Sequence, residues 1–222
     1  MCQCAVRTNT GMTNITKKKM DPDSRKKSIL ACAKKLFSKN GYYETQISDI
    51  VKEADIARGT LYQYFKNKDD IFETLMNNFY RQWEDTVSLV NAGIDLKTID
   101  PVEFFRYRVK MTLVFFESDA DLCNIVLKMG QGLSKHFDSI IKILEKKIVN
   151  LISGDLELGI RNGNVRNDLN VEIAASLLSG AIMRVAYDFF AVKRKSWQEY
   201  GVEKITEEIS KIFTAGIFSK NN

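Results

Sequence analysis

The stretch from Thr45 to Lys68, TQISDIVKEADIARGTLYQYFKNK, constrains this chain of 222 residues more than any other. Ile47, Ile50, Val51 and Ala54 recur on one face and predict a short helix over 47–54; Leu61 and Phe65 do the same over 58–65. Asp55-Ile56-Ala57 lies between them as a tight turn, and Asp tolerates the left-handed backbone of such a turn because its short side chain bonds locally. Two short helices joined in this way make a helix-turn-helix, whose second helix has the shape that enters a DNA major groove. The outward residues Arg58, Thr60, Tyr62, Gln63 and Tyr64 carry hydrogen-bond donors, and Gly59 allows close approach of the backbone to another surface. Helical proteins with no nucleic-acid role also contain this two-helix pattern, so by itself it leaves both readings open.

Within the stretch, Gly59-Thr60-Leu61-Tyr62, then Tyr64-Phe65, then Lys68 resembles the DNA-binding signature of TetR-family transcriptional regulators. The likeness runs from Arg25 to about Leu75; beyond it only the number and length of the helices agree. Two positions depart from the family pattern. Asp55 stands where the family usually has Gly, and Ala57 where it usually has Ser. Ala57 has no side-chain oxygen to cap the second helix, a loss of about 1 kcal/mol. The resemblance implies that Thr45, Tyr62, Tyr64 and Lys68 meet phosphates, which position a protein and make its binding salt-sensitive. It implies that Arg58, Thr60 and Gln63 face base edges, where Arg suits guanine and Gln suits adenine, with Gly59 giving backbone access. Leu61 and Phe65 are assigned to the core.

The charge distribution agrees with a protein that meets phosphate at one end. Residues 1–70 hold 14 Lys+Arg against 8 Asp+Glu, whereas residues 71–222 hold 19 against 20. The first twenty residues are polar and aperiodic and read as a disordered basic arm, with Lys17, Lys18 and Lys19 placed either to touch DNA or merely to aid solubility. Long apolar stretches recur at helical spacing and strand-like alternation is scarce, which predicts an all-α chain of about nine helices. Three helices form an N-terminal helix-turn-helix DNA-binding domain over 21–68. A larger helical ligand-binding and dimerisation domain fills 69–222. With no apolar run of membrane-spanning length and no signal-like start, the expected location is the cytoplasm.

Local signals set the helix boundaries. Asp21-Pro22 opens the first helix, which runs to Asn40-Gly41. Tyr42 and Tyr43 are expected to plug the base of the small domain, and Thr45 to cap the second helix. Asn67 caps a fourth helix with Asp69 and Asp70 in its first turn. Its apolar positions continue to about Ala92, too far for the small domain, so this helix is shared and is the candidate transmission element. Further helices are expected over 101–117, 119–129, 133–159, 170–192 and 202–218. Ala174, Ala175, Ser179, Gly180, Ala181 and Ala186 permit close packing of the helix that starts at Asn170. One recognition helix reads only a few base pairs, so a homodimer on a palindromic double-stranded operator is expected, with half-sites about 34 Å apart. The resemblance implies that the last two helices pair across the twofold axis.

Aromatic residues on the later helices mark either core or a pocket. Trp83, Phe104, Phe105, Arg108, Met111, Phe115, Phe116, Met129, Phe137 and Tyr187 are the candidate ligand-binding residues. Their apolar character points to a hydrophobic or amphipathic small-molecule effector, whether acyl, aromatic or a cationic drug. One histidine, and no nucleophile elbow, phosphate loop or metal-ligand spacing, leave no catalytic constellation; no enzyme, metal or cofactor is expected. The leading reading is a ligand-released repressor. The alternative is a DNA-binding regulator without a small effector, controlled by a protein partner or by the thiols Cys32 and Cys123.

Overall fold

The computed structural model describes residues 21–88, 93, 99–129, 135–197 and 199–217. Nine α-helices form among them: α1 (Pro22–Asn40), α2 (Ile47–Glu53), α3 (Arg58–Tyr62), α4 (Lys68–Val87), α5 (Pro101–Ser118), α6 (Ala120–Met129), α7 (Lys135–Arg161), α8 (Val171–Ala186) and α9 (Val202–Ile217). Lys17, Lys18 and Lys19 lie outside the described residues, as do the side chains of Met129 and Phe137.

Side-chain caps fix most helix starts. Asp21 accepts from the Ser24 amide, Asn67 from Asp70, Asp100 from Val102 and Glu103, and Asn170 from Ile173. Each satisfies a backbone donor that the first helical turn leaves free. The turn between α2 and α3 is left-handed at Asp55, with φ 49°, and Gly41 ends α1 at φ 86°. Ala57 stands at the N-cap of α3 with no side-chain bond to the helix, as its methyl dictates.

Several boundaries and placements differ from the sequence-based expectation. The recognition helix is α-helical only to Tyr62, after which Gln63 and Tyr64 form a turn that brings Phe65 into the core. The fourth helix ends at Val87 instead of continuing to Ala92. The run predicted to reach Val192 changes at Tyr187 into a π-helical turn over Tyr187–Ala191. Thr45 caps nothing: it is fully buried, and its hydroxyl donates to the Gly41 carbonyl at 2.8 Å. Gln46 takes the cap position of α2 in a reciprocal box with Asp49. Tyr42 does plug the base, with its ring 5.1 Å from Phe72 and 5.3 Å from Phe37. Tyr43 is half exposed and does not.

One continuous apolar cluster runs from α1 to α9. It includes Ile29, Phe37, Leu61 and Phe72 at one end and Phe79, Leu113, Phe116 and Ile205 at the other. α4 links the two ends: Ile71 and Phe72 face α1–α3, while Phe79, Trp83 and Val87 face the later helices. α1 also packs directly on α6, where Lys34 pairs with Asp119. A smaller cluster fills the space between α7 and α8 around Leu156, Val165 and Leu178.

The helical run Val171–Ala191 is long and apolar enough to cross a bilayer by length and composition, with a mean hydropathy of 1.3 and 28% of its window buried. This corrects the expectation that no stretch qualifies. One side of α8 packs on α7, and its opposite side exposes Ile173 and Leu177.

Candidate nucleic-acid interface and effector cavity

α3 presents its first turn outward. Arg58 and Tyr62 lie one turn apart on the same face: an Arg58 Nη donates to the Tyr62 hydroxyl at 3.3 Å, and the guanidinium carbon sits 5.7 Å from the Tyr62 ring centre. Both side chains are exposed, as is Gln63, whereas Thr60 and Tyr64 are half-buried. A Cβ built on Gly59 would meet nothing within 4 Å, so no packing inside the chain demands glycine there. The face therefore offers a cation, a phenol, an amide and an open strip of backbone, a set suited to phosphates and base edges.

Two residues expected at phosphates are turned inward. Thr45 has no exposed surface. The Lys68 ammonium donates to the carbonyls of Tyr42 and Thr45, each at 2.8 Å, and lies 4.2 Å from the Tyr42 ring centre. Burial draws Lys68 below the usual ammonium range. It thus ties the start of α4 to the α1–α2 connection. Lys68→Met is expected to destabilise the fold by about 1.5–3 kcal/mol, the range for hydrogen bonds made by a charged group. The salt dependence of DNA binding should stay as in the parent; urea melts and a salt titration check both parts. A shallower slope would place the ammonium on a phosphate instead.

The larger body holds an apolar slot between α4, α5, α7 and α8, with a cavity volume of about 110 Å³. On α5 its lining follows one stripe: Pro101, Phe104, Phe105, Arg108, Val109, Thr112 and Phe116. The fifteen helical steps from Pro101 to Phe116 give the stripe a length of about 22 Å. Phe79, Trp83 and Val87 close it from α4, Ile148, Leu151 and Asp155 from α7, and Ile182 and Met183 from α8. Five residues singled out in the sequence line it: Trp83, Phe104, Phe105, Arg108 and Phe116. Met111, Phe115 and Tyr187 do not. Phe115 turns away and packs on Phe79 at 5.3 Å, Met111 packs against the core, and Tyr187 sits on the π-helical turn beneath Arg184.

Polar groups in the slot are few. The Trp83 indole donates to the Thr112 hydroxyl at 3.1 Å, which in turn donates to the Arg108 carbonyl. Arg108 pairs with Asp155 at 3.2 Å. Burial pushes the Asp155 carboxyl up from its ordinary value, with Arg108 pulling it the other way. Sequence reasoning missed Asp155, although a signal was present: a carboxylate inside the apolar series 148, 151, 152, 155, 156 on α7. A second, more open cleft of about 290 Å³ lies on the other side of Phe116, among Cys123, Phe190, Arg194 and Trp197. Burial pushes the Cys123 thiol up to about 12 and raises Cys32 as well, so neither is a ready thiolate. Among the described residues no group of three or more His, Cys, Asp or Glu gathers to hold a metal.

Comparison with known proteins agrees with this arrangement. Residues 29–75 match the model for bacterial regulatory proteins of the tetR family. The fatty acid metabolism regulator protein of Bacillus subtilis is 25% identical over 197 residues, covering 86% of this chain and 95% of its own. A crystal structure of a TetR-family regulator from Syntrophomonas wolfei superposes with a TM-score of 0.75 at 25% identity, covering 90% of this chain and all of the other. The regulator FadR from Bacillus subtilis, solved in complex with stearoyl-CoA, superposes with a TM-score of 0.70 at 23% identity, covering 86% and 98%. With the helix-turn-helix matched by the TetR family model and the helical body by regulators of similar length, the chain resembles DNA-binding transcriptional regulators of the TetR family along most of its length.

Proposed function

We propose that the chain acts in the cytoplasm as a homodimeric repressor that binds a palindromic operator through α3 and is released by an amphipathic effector with a linear acyl tail. The observation that carries the effector class is the lining of the slot: apolar and drawn out along α5 from Pro101 to Phe116, with its few polar groups clustered around Arg108. A hydrocarbon chain can follow such a lining along the helix. The fatty-acid regulator among the relatives, and the stearoyl-CoA complex among the structural neighbours, point the same way. The cavity also favours a small effector over control by a protein partner, for which a filled core would suffice. In this reading the helices of 21–68 serve as the DNA-binding unit and those of 69–222 as the effector and dimer unit. Effector binding selects one arrangement of α4 and shifts the spacing of the two recognition helices.

On the DNA side, Arg58, Thr60 and Gln63 face the bases, Tyr62 and Tyr64 the phosphates, and Gly59 gives the backbone room. Fluorescence anisotropy on DNA from upstream of the chain's own gene tests this. Arg58→Ala should cost about 1–3 kcal/mol and reduce discrimination between operator and scrambled sequence. Tyr62→Phe should weaken binding to all sequences alike, by about 0.5–1.5 kcal/mol, because it removes one hydroxyl donor. Palmitoyl-CoA added to the complex should release the DNA. Equal binding of operator and scrambled DNA by the parent and both variants would refute the assignment of α3 as the reader.

A further inference from the structure

The Arg108 guanidinium ties together α4, α5 and α7 at the slot. One Nη donates to the Val87 carbonyl at 2.7 Å, and Val87 is the last residue of α4. The other Nη donates to an Asp155 carboxylate oxygen at 3.2 Å, which ties α5 to α7. The face of the guanidinium lies 5.3 Å from the Phe104 ring centre. The last carbonyls of a helix have no partner within it, and an outside donor or a left-handed cap must serve them. Ser88 at the end of α4 is extended, with φ −66° and ψ 123°, so it provides no left-handed cap. The donor comes instead from the effector slot.

This pair is poised to be exchanged. The Arg108 Nε is buried without a hydrogen bond of acceptable geometry, although Asp155 lies within ion-pair distance. The pair is partly buried, and an ion pair that leaves a buried donor unsatisfied recovers only part of what desolvation costs. The other polar atoms nearby are committed, since Trp83 and Thr112 bond each other and Thr112 bonds the Arg108 carbonyl. Arg108 and Asp155 are the charged residues of the lining.

We propose that Arg108 reads the acyl oxygen of the effector, and that capturing it takes the guanidinium from Asp155 and from the Val87 carbonyl, loosening the end of α4. The inference rests on the acyl-effector reading given above and adds the residue that recognises the polar end and the route to the DNA-binding helices. α4 begins beside the recognition helix and ends at this carbonyl, so loss of its last cap is felt along the element both ends share. The acyl oxygen belongs either to a free fatty carboxylate or to an acyl thioester.

Calorimetric titration of the full-length protein with palmitate, palmitoyl-CoA and 1-hexadecanol, on the parent, Arg108→Gln and Asp155→Asn, tests the exchange. Arg108→Gln should weaken whichever acyl probe binds by about tenfold or more, the loss of a charge-assisted hydrogen bond. Asp155→Asn should tighten the same probe by about threefold, because its competitor for Arg108 is weakened. Hexadecanol, with no acyl oxygen, should bind the three proteins alike, and the contrast between palmitate and palmitoyl-CoA identifies the source of the acyl group. Hydrogen exchange supplies a second readout: the last turn of α4 should exchange faster with the probe bound, and in Arg108→Gln it should do so without any probe. Unchanged acyl affinity in Arg108→Gln, variants that shift affinity in the same direction, or an unchanged α4 turn would overturn the proposal while leaving the acyl reading standing. Failure of the parent to bind either acyl probe would overturn both.

Discussion

Leu177→Glu is expected to leave a folded monomer that binds operator DNA about 10²- to 10⁴-fold more weakly than the parent, the factor that a second linked contact supplies. Ile173 and Leu177 stand one helical turn apart on α8, 60% and 63% exposed, and Ile212 on α9 is 70% exposed. Gly180 continues the α8 stripe and offers no side chain to block a close approach. Large apolar residues this exposed, two of them on one face of α8, are a surface that a monomer rarely leaves uncovered. In the homodimer proposed above, a second copy related by a twofold axis would bury the same stripe against itself. A carboxylate placed there must be desolvated without a partner on association, while in the separated chain it meets only water. Folding stability should therefore change by no more than about 0.5 kcal/mol, as for other surface substitutions. Light scattering after gel filtration reads the mass, and anisotropy reads the DNA affinity. A Leu177→Glu protein that stays dimeric would move the interface off α8.

What the sequence reveals of this fold is governed by how local each determinant is. Asp21, Asn67 and Asn170 are legible as caps because a cap needs only an acceptor two or three residues from a free amide. Asp55 is legible for the same reason, its left-handed φ being a property of one residue in a short turn. Thr45 is misread as a cap because its burial depends on how α1 returns toward α2, and no spacing along the chain reports that. The intramolecular bonds of Lys68 are illegible for the same reason: the carbonyls that hold it belong to residues more than twenty positions earlier. In the slot, Phe115 and Phe116 are adjacent and both buried, yet only Phe116 lines the cavity. Hydrophobic periodicity tells which side of a helix is covered. It does not tell which part of the covered side meets another side chain and which part meets empty space.

Phe72→Ala should destabilise the protein by about 3–5 kcal/mol, a large part of the stability of a typical domain. Phe72 is 1% exposed, and its ring meets Phe37 of α1 at 5.8 Å and Tyr42 at 5.1 Å, both edge-on. Removal of the ring takes away its own transfer energy and leaves a cavity walled by two aromatic rings that α4 and α1 hold in place. Tyr43→Ala, one residue from Tyr42 but half exposed, should cost no more than about 1.5 kcal/mol, the value of one aromatic contact. Urea unfolding followed by both tryptophan fluorescence and circular dichroism measures the effect. It also reports whether the helices before α4 melt with the rest. The apolar cluster passes through Phe72 into Met76, Phe79 and Trp83 without a break. The two probes should therefore give one midpoint in the parent and a lower, still coincident, midpoint in Phe72→Ala. Two separated transitions would mean that α4 transmits little between its ends, which the shared core argues against: the contacts that stabilise the recognition helix and those that wall the effector slot are borne on one continuous helix.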